Sequence, residues 1–70
     1  MGSITLPDLP ESMTHARAQA IVAYVATNSP HRHAYAHARG KDWGVTISSP
    51  TETERDLYKV YDPLLYLELI

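Results

Sequence analysis

The sequence predicts an α+β fold in one small domain, and three observations carry that expectation. An alanine-rich stretch from Met13 to Thr27 has helical periodicity. Two successive stretches, His31 to Arg39 and Trp43 to Ser48, have strand character on either side of Gly40 and Lys41. A second helix start follows at Ser49-Pro50. The expected architecture is two helices with a β-hairpin and a third strand at the C-terminus, with a mostly α fold as the alternative.

Residues 1–11 read as an extended arm preceding a domain over residues 12–70. Pro7 and Pro10 push the residues before them out of the helical region and donate no backbone hydrogen bond. Ile4, Leu6 and Leu9 then lie on the domain surface or pair with a sheet edge. Ser12 is a good helix N-cap, and the residues after it are mostly alanine and long side chains, which lose little entropy in a helix. Ala18, Ile21, Val22 and Val25 form one stripe, with Met13, Ala20 and Tyr24 beside it. Asn28-Ser29-Pro30 ends the helix.

From His31 to Arg39 two periods compete. Ser29, Pro30, three alanines and Gly40 suit a capped helix. The alternation suits a strand, with Arg32, Ala34, Ala36 and Ala38 on one face and His31, His33, Tyr35, His37 and Arg39 on the other. The β-branched and aromatic residues of Trp43 to Ser48 decide for the strand, because a lone strand would leave its backbone groups unpaired. Ser49 caps the second helix with Pro50 at its first position, and Glu52, Glu54 and Asp56 sit early, where negative charge favours the helix dipole. Leu57, Val60 and Tyr61 should face the core, and Pro63 should end or kink the helix. Leu64 to Ile70 alternate again and predict the third strand, with a short helix opened by Asp62-Pro63 as the alternative.

Size and composition exclude much. A chain of 70 residues buries only about 60% of its unfolded surface. A single core of this size supplies about 3–5 kcal/mol, so small proteins commonly add a disulfide, a metal or a partner subunit. The chain has no cysteine, which removes the disulfide and any Cys-type zinc site. Its longest uninterrupted apolar run, Ala20 to Ala26, is far short of the ~20 residues of a membrane span. The N-terminus lacks the basic region of a signal peptide. The expectation is a soluble, cytoplasmic protein with no membrane contact.

Charge is segregated along the chain. Residues 12–41 contain no acid but hold Arg17, Arg32, Arg39, Lys41 and all four histidines, whereas the flanking segments are acidic, giving a net charge of −2. Such segregation governs which ligands are attracted rather than fold. The basic stripe, interleaved with Tyr35 and Trp43, makes Arg32, His33, Tyr35, His37, Arg39, Lys41 and Trp43 the candidate partner-binding residues. An acidic protein surface is the expected partner, and DNA or RNA is the alternative, since arginines neutralise phosphates and aromatics stack bases. Six basic residues and a pI near 6.0 are few for a dedicated nucleic-acid binder.

Catalytic signatures are missing. There is no Gly-x-Ser-x-Gly elbow and no glycine-rich phosphate loop among three scattered glycines. No catalytic residue, cofactor or metal is therefore assigned. A histidine-based metal site is a further alternative, because His31, His33 and His37 share one face of the expected strand. However, His33 and His37 would stand about 13 Å apart along it. Five tyrosines with no phenylalanine are unusual, because a tyrosine hydroxyl seeks a partner and suits interface rims. Tyr58, Tyr61, Tyr66, Leu67 and Leu69 are thus core residues or contacts for a homodimer or another partner. Together these features predict a small non-catalytic regulatory or inhibitory protein acting through a basic His/Arg face.

Overall fold

A computed structural model describes residues 2–7 and 12–67. Two helices and a three-stranded antiparallel sheet follow one another as β1 (Gly2–Leu6), α1 (His15–Asn28), β2 (His33–Arg39), β3 (Asp42–Ser49) and α2 (Glu54–Leu67). The α+β class is therefore correct, but the third strand lies at the N-terminus. β3 is central and pairs antiparallel with both β1 and β2, so the two outer strands run parallel to each other.

Pairing register fixes the two faces of the sheet. Ile4 and Ala34 flank Ile47, while Leu6 and Ala36 flank Val45. The period-two alternation then sends Ser3, Thr5, His33, Tyr35, His37, Arg39, Thr46 and Ser48 to the opposite face. Val45 and Ile47 are completely buried, as a central strand beneath two helices requires. Ala18, Ile21 and Val25 of α1 and Leu57 and Tyr61 of α2 close the core over the inner face. Burying a large aliphatic side chain such as Ile21 or Ile47 stabilises the fold by about 1.5–3 kcal/mol.

The N-terminal segment realises the sheet-pairing option rather than the surface arm. Ile4 and Leu6 alternate with Ser3 and Thr5, and β3 needs a partner on each side to satisfy its backbone groups. Pro7 follows the last paired residue, where its missing N–H is harmless. Leu9 lies outside the described residues.

Helix boundaries move for identifiable reasons. Thr14, not Ser12, caps α1, with its Oγ1 accepting from the Arg17 amide at 3.1 Å. Met13 comes just before it, its side chain in the core and its carbonyl accepting from the Trp43 amide at 2.9 Å. Thr53, not Ser49, opens α2: its Oγ1 accepts from the Asp56 amide at 3.3 Å and donates to the Asp56 carboxylate at 3.0 Å. Ser49 instead ends β3, and its buried Oγ accepts from the Thr51 and Glu52 amides. Helix α2 continues past Pro63 to Leu67, which corrects both the helix end and the strand expected from Leu64 onward. Leu57, Tyr61, Leu64 and Leu65 also satisfy helical spacing, and that period prevails over the alternation of Leu65 and Leu67. Val60, expected inside, is 37% exposed.

Candidate functional site

Of the residues singled out in the sequence, four converge on one surface. His33, Tyr35, His37 and Arg39 line the outer face of β2, opposite the face that meets the helices. The strand places them there because its inward positions are alanines, small enough for α1 to approach closely. Tyr35 is 58% exposed, a large side chain presented to water. Its ring lies 5.8 Å from that of His37, tilted by 53°. His33, on the other side of Tyr35, is also exposed.

Hydroxyl groups of the neighbouring strands complete the surface. Tyr35 stands beside Thr46 and Thr46 beside Thr5, while His33 stands beside Ser48 and Ser48 beside Ser3. Thr46 Oγ1 is within hydrogen-bond distance of His37 Nε2, at 2.9 Å, and of Thr5 Oγ1, at 3.4 Å. The hydroxyl residues were legible as a set in the alternation of β3, but pairing register was needed to put them next to the rings.

Gly44 has a particular role in this surface. A Cβ there would come within 2.5 Å of Arg39 Cδ and 3.1 Å of His37 Cε1. Its absence lets Arg39 lie across β3 and donate from Nη1 to the Pro7 carbonyl on the far strand, at 2.8 Å. One arginine therefore spans the whole sheet. Lys41 is exposed in the two-residue turn beside Gly40, which adopts a φ of 61°.

Arg32 is placed elsewhere. Its Nε and Nη2 form a bidentate pair with the Glu52 carboxylate, and Nη1 donates to Ser29 Oγ at 3.0 Å and to the Tyr61 hydroxyl at 2.9 Å. The guanidinium also stacks over the Tyr61 ring, 5.3 Å from its centroid. The hydrogen bonds to Glu52 raise the Arg32 pKa above its ordinary value against the opposing effect of burial. The same bonds hold Glu52 down to about 2. This arginine is a clasp joining the start of β2, the turn before α2 and α2 itself. The segregated basic charge is thus partly neutralised from the acidic part of the chain.

Trp43, Tyr58 and Tyr61 take structural positions. Trp43 is half-buried on the inner side, its ring 4.2 Å from that of His15. Tyr61 is buried in the core, and Tyr58 is half-buried against it. The side chains of Tyr66 and Leu67, and Leu69 as a whole, lie outside the described residues.

The histidines are dispersed. His15 meets Trp43 and Gln19, His31 approaches Glu52 at 3.4 Å, and His33 and His37 flank Tyr35. Among the described residues no three His, Asp or Glu side chains are placed to share a metal ion, and no helix is long and apolar enough to cross a membrane. What the outer face offers chemically is ring faces, hydroxyls and one positive charge on one side of the sheet. Comparison of the chain with protein-family models, with curated proteins and with solved structures finds no match, so the functional reading rests on this geometry.

Proposed function

We propose that this protein is a non-catalytic binding domain, acting as a regulator or inhibitor, that captures a partner protein on the outer face of its sheet. The observation that carries this reading is Tyr35, 58% exposed halfway along the edge strand β2, on the sheet face opposite the helices. A tyrosine offers rigid contact area at small entropic cost, and the serine and threonine hydroxyls around it supply adaptable hydrogen bonds, as on antibody-like recognition surfaces. Arg39 and Lys41 favour an acidic partner surface. With Arg32 engaged by Glu52, these two cations are few for holding a phosphate backbone.

A second reading, single-stranded DNA or RNA, is favoured by one specific observation. His33, Tyr35 and His37 form a row of rings on alternate residues of one strand, with the Tyr35 and His37 rings 5.8 Å apart. That spacing suits successive unstacked bases.

Affinity capture from host lysate with and without nuclease, followed by mass spectrometry, tests the two. Under the protein reading a captured protein survives nuclease and is lost with Tyr35→Ala or Lys41→Glu, while the circular dichroism spectrum and melting temperature of these variants stay those of the parent. Capture lost on nuclease treatment would replace it with the nucleic-acid reading. Capture unaffected by both substitutions would remove this face from consideration.

A further inference from the structure

We propose that the outer edge of β1 is a self-association surface, on which a second copy of this chain adds its own β1 antiparallel, joining two three-stranded sheets into one of six. β1 is an edge strand: β3 occupies one side, and no other described strand pairs with it. Half of its backbone N–H and C=O groups therefore point away from β3, toward an edge that no described strand occupies. The other edge, β2, carries His33, His37 and Arg39, the kind of charged or polar guard that discourages strand addition. Gly2–Leu6 has no charge and no proline within it.

A groove of about 390 Å³ runs along this edge, lined by Ser3, Ile4, Thr5, Pro7 and the side chains of Arg39, Glu54 and Tyr58. A neighbouring hollow bounded by Gly2, Ser3, Ser48 and Glu54 extends it past the start of the strand. The charges sit at opposite ends. Arg39 reaches β1 at Pro7, whereas Glu54 begins α2 beside Gly2, where a Cβ on Gly2 would meet the Glu54 amide nitrogen at 2.5 Å. Among the described residues Glu54 has no ion-pair partner.

This polarity selects the occupant. When two copies of β1 lie antiparallel about a two-fold axis, the Pro7 end of one faces the Gly2 end of the other. Each Arg39 then lies at the same end of the shared edge as the Glu54 of the opposite copy, both of them residues that line the groove, and this pairing of opposite charges occurs twice. A parallel strand would bring like charges together. An axis perpendicular to the sheet also leaves both Tyr35 faces on the same side and the helices on the other.

The experiment is sedimentation velocity over a concentration series with a reciprocal charge swap. The parent protein should dimerise as concentration rises, and Arg39→Glu and Glu54→Arg should each weaken the dimer about tenfold or more by opposing like charges. Mixing the two single variants should restore association as a heterodimer seen by native mass spectrometry, because each then supplies the charge the other needs. A merely misfolded variant would not be rescued by mixing. In the parent dimer, amides of β1 should gain protection from hydrogen exchange with concentration. A parent that stays monomeric throughout the series, single variants that dimerise like the parent, or a mixture that stays monomeric would each overturn the proposal. The readout is oligomeric state and is independent of partner capture on the Tyr35 face.

Discussion

Replacing Arg32 by methionine should destabilise the protein by about 2 kcal/mol. The number follows from what the guanidinium holds. Its removal leaves the Tyr61 hydroxyl, on a residue 1% exposed, and Ser29 Oγ, on a residue 8% exposed, without the donor each has now. Each such loss costs about 1 kcal/mol or somewhat more. Glu52 sits at the rim and regains water, so nothing is added for it, and the methionine chain replaces part of the packing over the Tyr61 ring. Set against the ~3–5 kcal/mol available to a core of this size, the loss is about half of the total. It should lower the melting temperature by about 8–16 °C, at about 4–8 °C per kcal/mol for a small domain. Urea and thermal unfolding followed by circular dichroism give the value, and a double-mutant cycle with Tyr61→Phe locates it. Tyr61→Phe should cost about 1 kcal/mol in the parent and close to nothing in the Arg32→Met background. An Arg32→Met protein within about 0.5 kcal/mol of the parent, or strictly additive effects, would refute the clasp.

Two further outcomes follow from the same geometry. Because Glu52 is held at about 2 in the fold against an ordinary value of 4.5, its contribution to stability is complete above 4.5 and is lost as pH falls toward 2. Unfolding followed between neutral and acid pH should show this acid-side loss in the parent and a much weaker one in Glu52→Gln; identical acid limbs would contradict the assignment. Gly44→Ala should leave the fold intact but push Arg39 off the sheet and away from the Pro7 carbonyl, since the new methyl would overlap Arg39 Cδ. Shifts confined to Arg39, His37 and the β1 end in a two-dimensional NMR spectrum would confirm it, and an unmoved Arg39 would count against the crossing.

Much of this arrangement can be read from the residues, and the places where it cannot are instructive. The helical stripe of α1 and the hairpin around Gly40 follow from local periodicity and turn chemistry. The alternation of Arg32 to Arg39 gives the correct division of that strand into an alanine face and a ring-bearing face. The position of the third strand was legible only as one option for the N-terminal arm, because five residues before a proline, Gly2–Leu6, carry a pattern too short to decide between pairing and a surface arm. Only the need of β3 for a second partner identifies them. At the other end, the leucines after Pro63 satisfy two periods at once, and sequence spacing alone does not rank them. The fate of Arg32 was hidden for a different reason. Its partner Glu52 is 20 residues away, and a charge tally along the chain treats the two as belonging to opposite segments.

The composition of β2 bears on what the fold is for. A strand that served stability alone would carry β-branched residues on its inner face, where Val45 and Ile47 of the adjacent strand show how much area one position can bury. β2 instead has Ala34, Ala36 and Ala38 on its inner face and carries its larger side chains on the outer face, with His33 and Tyr35 exposed and His37 and Arg39 half-buried against the neighbouring strand. In a 70-residue chain with little stability in reserve, that is a sacrifice of core volume. The sacrifice is coherent if the outward residues meet a partner: Gly44 leaves room for Arg39 to lie across the sheet, and hydroxyls of the neighbouring strands stand beside the rings. A dimer through β1 would then compensate for the thin core by adding a strand pair at the opposite edge, leaving the β2 face open.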